Sequence, residues 1–370
     1  MGGDSTVGKI GAVTSLTIGL VLMAFTLSYV GFGELVSSMQ EASIYWFFLS
    51  LLLLPVPFLI RAWRWRLLLL PTKNTVGYFN ALGITFVGSL TNNLIPIRAG
   101  EFFRALLMGR RETVAFFEVF SSIVVERILD LLSIVTLATI MLFLFPLQLA
   151  LPEWAINSLR ITGTFTLSVL VVLILGTKNE EALMHLVRKI TSATPMPKSW
   201  KWKLNIWLEE VIRGAKSLSY NSTLVSVLLV QSFAICLICS LQVYMMFQMF
   251  TIDVSPFVAL LGSMLFTLSF IFPAPPGYVG SYETFWSLVF TGLGLSLVEV
   301  LPVGLLTHLL NLVFVAVTGC LSAIWFSLTF REFHVAIGTC FKAKHESPFH
   351  PRSYTGREKC PLNNTGEKRT

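Results

Sequence analysis

A few polar stretches in an otherwise apolar sequence carry the side chains able to do chemistry. The first, TNNLIPIRAGEFFRALLMGRR, holds Asn92, Asn93, Arg98, Glu101 and Arg104 around two backbone breakers, Pro96 and Gly100. Downstream, VVERILDLLS adds Glu126, Arg127 and Asp130. A later breaker, PAPPGYVG, contains Pro275, Pro276, Gly277 and Gly280; Glu283 follows it, and His308 and Asn311 come after. Arginine presents a planar fork of donors that matches a phosphate, and a helix starting near Gly100 would aim its positive end at the same place. Glu101, Glu126 and Asp130 would balance the arginines, bind a cationic headgroup or carry a proton. A second reading stays open: Arg98, Arg104 and Arg127 with Glu101, Glu126 and Asp130 form a buried salt-bridge network that clips one helical hairpin to the next helix. Asn92 and Asn93 are expected to cap the hairpin tip or line a path.

The composition dictates the solvent. Of 370 residues, 54% are hydrophobic and only 13% charged, half the charge of a soluble chain. Mean hydropathy is +0.74. Every backbone group in hydrocarbon must find its partner within the protein, and the apolar runs are too long for barrel strands, so an all-α polytopic membrane protein is expected. The net charge of +7 lies in loops and tail, which argues for membrane orientation and against nucleic-acid binding. Cys236 and Cys239 form a C-x-x-C inside an apolar run and read as packing residues. His334, Cys340, His345, His350 and Cys360 lack zinc spacing, so no metal or cofactor is expected.

Taken in order, the chain reads as a span over 11–30, a second over 43–60, and a basic loop RAWRWRLLLLPTK with Arg61, Arg64, Arg66 and Lys73. The positive-inside rule makes that loop cytoplasmic and places both termini there. A single crossing over 78–97 would put the following arginines outside; a helical hairpin over 78–111, entering and returning on the same side, avoids this. Spans over 114–145 and 161–175 flank an outer loop, and 177–218 is a basic internal loop with an amphipathic segment at 200–218. A span over 223–250, a second hairpin over 256–295 and a last span over 301–330 follow, then a basic tail, 331–370, expected to be disordered. The sum is about six full spans plus two re-entrant hairpins in a transmembrane domain over 1–330.

Two stretches look alike: Pro96-x-x-x-Gly100 against Pro276-x-x-x-Gly280, and RILDLLSIVT against HLLNLVFVAVT, which sets Arg127 on His308 and Asp130 on Asn311. With one hairpin entering from each side, they form an inverted repeat, the architecture that places broken helices and a substrate site at the midplane of secondary transporters.

The blocks NNLIPIRAGEFFRALLMGRR, VVERILDLLS and FPAPPGYVGSYE, in that order, resemble the lysylphosphatidylglycerol synthase transmembrane-region family, a flippase-like group of integral membrane proteins. Its members show N-x-x-P-x-R-x-G-E-x-x-R, V-x-E-R-x-x-D and P-x-P-G-x-x-G-x-x-E blocks, and the likeness covers roughly residues 10–330; here the third block reads APPG. The residues it marks are Asn93, Pro96, Arg98, Gly100, Glu101, Arg104, Glu126, Arg127, Asp130, Pro276, Gly277, Gly280 and Glu283. The resemblance implies a flippase or transporter moving an anionic phospholipid or a polyprenyl-phosphate conjugate between leaflets of a prokaryotic cytoplasmic membrane. In the lysyl-lipid synthases a separate soluble domain makes the lipid; here the extramembrane pieces, 177–218 and 331–370, are too short for a catalytic core, so no catalytic residue is assigned. The alternatives are an accessory or catalytic subunit of a lipid-headgroup or glycosyl transferase, with Glu101 or Asp130 as base and a separate transferase as partner, or a membrane scaffold.

Overall fold

The computed structural model describes residues 42–73, 75–95, 99–144, 153–178, 185, 189, 222–270 and 275–328. The expected span over 11–30, the amphipathic segment over 200–218 and the tail over 331–370 lie outside them. Among the described residues every element is helical: α1 (Ile44–Leu53), α2 (Val56–Leu69), α3 (Tyr78–Leu94), α4 (Gly100–Glu112), α5 (Phe116–Leu144), α6 (Glu153–Lys178), α7 (Ser222–Met249), α8 (Pro256–Ser269), a 3-10 turn (Pro276–Tyr278), α9 (Ser281–Gly292) and α10 (Leu297–Trp325).

Three helical stretches are long and apolar enough to cross a membrane: Ile44–Leu69, Thr223–Met249 and Leu297–Trp325. Six full spans were expected, so among the described residues half that number meets the criterion. α5 is as long as α10 but carries Glu118, Glu126, Arg127 and Asp130. The outer face of α10 is what a lipid-facing helix requires: Leu309, Val313, Val317 and Leu321 recur every fourth residue and are all exposed.

The first crossing corrects the sequence reading. The helix does not stop near residue 60. It passes Pro55 and runs on to Leu69, so Arg61, Trp63, Arg64, Trp65 and Arg66 are helical and not a basic loop. Burial explains this. Ala62, Trp65, Leu68 and Leu69 all pack inside, which makes the apolar stripe continuous at helical spacing across the arginines.

Both hairpins form. In the first, α3 and α4 pack on each other, and the ends are clasped: Lys73 Nζ donates to Glu112 Oε2 at 3.0 Å and to its carbonyl at 2.7 Å, while Asn80 Nδ2 donates to Glu112 Oε1 at 2.8 Å. The start of α3 and the end of α4 therefore stand at one level. α4 has 13 residues, about 20 Å of helix against a hydrocarbon core of about 30 Å. The arms cross at glycines. A Cβ on Gly100 would collide with the Gly88 carbonyl oxygen and with Asn92 Oδ1, and one on Gly88 would collide with the Arg104 side chain. Only hydrogens on both glycines allow the backbones this close.

The second hairpin, α8 with α9, closes over Phe266, Tyr282, Trp286 and Phe290, with Gly262 giving room to the Phe290 ring. Trp286 Nε1 donates to the Val300 carbonyl at 3.0 Å and fastens the hairpin to α10. Its breaker works as its residues predict: Gly277 at φ +67 and Gly280 at φ +77 occupy the left-handed region that favours glycine. The 3-10 turn at this tip packs against α3.

Gly100→Val is expected to cost at least about 2 kcal/mol through this backbone collision and to lower the thermal unfolding temperature in detergent by several degrees. Gly163→Ala is the control: its Cβ would meet only Val135 Cγ1, at an ordinary 3.5 Å, and unfolding should be unchanged or slightly delayed.

Candidate functional site

Four helices bring their ionic and polar groups to one point. Glu126 and Asp130 stand one turn apart on α5 with Arg127 between them. α2 supplies Arg64, α4 supplies Arg104 and α7 supplies Ser232. Glu126 is fully buried and its two oxygens receive three arginines: Arg104 at 2.9 Å on Oε2, with Arg127 at 2.8 Å and Arg64 at 3.3 Å on Oε1. Asp130 takes Arg64 on Oδ1 at 2.6 Å and Arg127 on Oδ2 at 3.3 Å. Arg64 also donates to Ser232 Oγ at 2.6 Å, and that hydroxyl donates on to the Leu228 carbonyl at 2.9 Å.

Arg104 is fixed from a second direction. Its guanidinium lies 4.2 Å from the centroid of the Trp65 ring, and Trp65 Nε1 donates to Ser122 Oγ at 3.0 Å. A desolvated cation over an indole face gains about 2 kcal/mol. The sequence leaves Arg104 two roles, gripping a ligand or clipping the hairpin to the next helix; its contacts with Glu126 and Trp65 tie α4 to α5 and α2.

The tip itself is built by Asn92. Its Oδ1 accepts from the Gly100 backbone N at 2.7 Å, and its Nδ2 donates to Glu101 Oε2 at 3.1 Å. The amide thus satisfies the first free N–H of α4 and holds the carboxylate beside it, the capping role expected of it. Asn93 is half-buried. Pro96 and Arg98 lie outside the described residues.

The charge does not cancel within the contacts. Among the described residues Arg64, Arg104 and Arg127 form ion pairs only with Glu126 and Asp130, which leaves one positive charge in excess within those pairs, while Glu101 acts on Arg127 from further off. The flanks keep that excess: Arg61, half-buried one turn before Arg64, has no ion pair among the described residues, and Glu101 adds one negative charge. Access is confined to one edge. The side chains of Arg64, Glu126 and Arg104 are 0%, 0% and 6% exposed, whereas Arg127 is 34% and Asp130 18% exposed.

The remaining sequence candidates divide. Glu283 and His308 are buried together at the second hairpin, 2.7 Å apart, separate from the arginines. Asn311, set opposite Asp130 by the internal repeat, lies on the exposed face of α10 and joins neither group. Among the described residues no group of three or more His, Cys, Asp or Glu is placed to hold a metal ion. Arg64 is the residue that sequence reasoning missed. Its signal was the three-residue step from Arg61 to Arg64 beside the apolar Ala62, Trp65 and Leu68, a helical pattern with an arginine on its packed side.

Apolar helices around a desolvated ionic cluster, with lipid-compatible outer faces, define a polytopic membrane protein. Within that class the chain belongs to the family described as the lysylphosphatidylglycerol synthase TM region, whose model matches residues 12–319. It is also similar to a UPF0104 membrane protein of Methanothermobacter thermautotrophicus, 22% identical over 292 residues that cover 76% of this chain and 85% of the relative. No solved structure matches it.

Removing one partner of a buried ionic group strands the others, at about 3–5 kcal/mol. Arg64→Ala is therefore expected to lower the unfolding temperature in detergent more than Arg127→Ala, whose side chain is partly exposed and whose loss leaves Glu126 with two arginines.

Proposed function

We propose that the protein is a lipid flippase or transporter, moving an anionic phospholipid or polyprenyl-phosphate conjugate between leaflets. The observation that carries this reading is the uncancelled arginine at the open edge of the cluster. A scaffold needs opposite charges matched and sealed. Here three guanidiniums share two carboxylates, and Arg127 is the one that a ligand reaches. One excess positive charge suits a phosphodiester, which carries one negative charge, and guanidinium offers it a bidentate fit. Arg64 and Arg104 hold the scaffold; Arg127 receives the headgroup, with Asp130 setting its orientation.

The same reading gives the two hairpins the roles of broken helices at midplane, related as an inverted repeat, with the termini and the segment over 177–218 on the cytoplasmic side. Supporting it are the short arms, the tip-to-tip approach of the 3-10 turn to α3 and the length-wise match to a membrane family. A separate transferase that makes the lipid remains a partner of this scheme, as does the accessory-subunit role if the chain moves nothing alone.

The test is movement of labelled lipid in proteoliposomes. Wild type should exchange anionic phospholipid or polyprenyl phosphate between leaflets. Arg127→Ala should slow it at least about tenfold, the equivalent of about 1.4 kcal/mol, while unfolding within a few degrees of wild type; Arg127→Lys should recover part of the rate. A well-folded Arg127→Ala moving lipid at full rate removes Arg127 from the path. Folded wild type that moves none of a broad panel of anionic lipids rejects the flippase reading in favour of the accessory subunit.

A further inference from the structure

The Glu283–His308 pair sits apart from the arginine cluster, and its hydrogen bonds count protons. His308 Nε2 lies 2.8 Å from the Gly277 carbonyl oxygen, and Nδ1 lies 2.7 Å from Glu283 Oε1. A carbonyl oxygen only accepts, so Nε2 must carry a hydrogen to make the first contact. A neutral imidazole then has a lone pair at Nδ1, facing a carboxylate oxygen. The second contact needs another proton, either on Nδ1 as imidazolium with carboxylate, or on Oε1 as carboxylic acid with neutral imidazole. In both forms the two contacts together hold one proton more than a neutral histidine and an ionised glutamate possess. The other neutral tautomer fails in the same way, setting a bare Nε2 against the Gly277 oxygen.

Among the described residues nothing around the pair substitutes for this proton. Residues 222–327 contain no Lys and no Arg. The ionisable groups on the elements packed around His308 are Tyr278, Tyr282 and Glu283 from the second hairpin, Cys236, Cys239 and Tyr244 from α7, Tyr78 from α3, and Glu299 and Cys320 on α10 itself. Arg61 on α2 and Arg111 on α4 lie over Phe58 and Phe326. Tyr282 stacks flat on the imidazole, centroids 4.2 Å apart and rings 4° from parallel, covering the ring face. Both members are nearly sealed, His308 at 5% and Glu283 at 3% exposure. Among the described residues no Lys or Arg pairs with either group, so carboxylate and imidazole keep each other's hydrogen bonds satisfied only while the shared proton stays.

Without that proton one of the two contacts lacks its hydrogen, and both lead to the hairpin tip. Gly277 belongs to the 3-10 turn, and Glu283 Oε2 accepts from the Gly280 backbone N at 2.8 Å. We propose that Glu283 and His308 form a proton-binding site whose occupancy holds the tip over 275–280 closed on α10, so that lipid exchange is coupled to proton binding and release. This rests on the transport reading for its purpose but not for its existence: the site is a property of the fold.

The discriminating substitution is Glu283→Gln. Its amide donates to a neutral Nδ1, its carbonyl accepts from Gly280 N, and Nε2–H still reaches Gly277, so every contact survives without the extra proton. Infrared difference spectra of the purified full-length protein between about pH 4 and pH 9, the range that brackets ordinary carboxyl and imidazole titration, should show a coupled carboxyl and imidazole change. That change should be absent from Glu283→Gln and from His308→Gln. In proteoliposomes the wild-type exchange rate should vary at least about tenfold over the same range, and Glu283→Gln, folded and closed, should be slow and independent of pH. No proton exchanged by the pair across that range, in protein shown to remain folded, overturns the site. A wild-type spectroscopic signal lost in Glu283→Gln, together with equal pH dependence of transport in both proteins, overturns the coupling and keeps the site. Where wild type moves no lipid at all, the spectra alone decide the site, and the transport reading falls separately.

Discussion

Glu126 is a carboxylate from which solvent has been removed, and three guanidiniums from three helices converge on it. An isolated carboxylate at such a place costs several kcal/mol, so the buried Arg64 and Arg104 hold the arrangement and Arg127 completes it at the open edge. Through this one group the first crossing, the first hairpin and the long α5 become a single assembly. Arg104 cannot hold its place without Trp65, nor Trp65 its orientation without Ser122, and both belong to the helices that Glu126 already joins. The positions of the hairpin tip and of the accessible Arg127 follow from that convergence.

The two halves solve the problem of buried charge differently. The first half is rich in arginine and keeps its carboxylates ionised by direct pairing. The second half, over 222–327, has no fixed cation; it relies on a histidine and a shared proton, on an aromatic wall of Phe266, Tyr282, Trp286 and Phe290, and on glycines that bend the chain at 277 and 280. The hairpins are alike in outline, yet their second arms begin differently. Gly100 N is held by Asn92, a side chain from the preceding arm, whereas Gly280 N is held by Glu283 from the arm it starts.

Much of this was legible in the sequence because hydrocarbon solvent leaves few choices. The all-helical class, the first helix pair, the breaker at 275–280 and the Arg127–Asp130 pair follow from apolar length, Pro and Gly placement and i,i+3 spacing, whereas the link from Arg104 to Glu126 joins different helices and was one of two readings. Arg64 was not legible as a core residue, because three arginines beside two tryptophans have the composition of a membrane-surface loop. Only the burial of Trp65 and Leu68 on the same side shows that the helix continues. Asn311 differs from Asp130, on which repeat alignment sets it, because three residues beyond His308 the helix is about 60° short of a full turn, and Asn311 lies on the exposed side. His308 and Glu283 were both legible as polar groups in apolar sequence, whereas their pairing was not, since they lie on different helices and only the fold brings them within hydrogen-bonding distance.

The crossing of α3 and α4 at Gly88 and Gly100 has a mechanical consequence. Where helices meet through side chains, they can ratchet, because rotamers repack as one slides past the other. Here carbonyl meets Cα with nothing between, so there is no gear to slip. The hairpin behaves as a stiff blade, with the Lys73–Glu112 clasp at one end and Asn92 at the other. Force applied near its tip is carried to the clasp without being absorbed along the way, and bending is left to the short segments outside both helices.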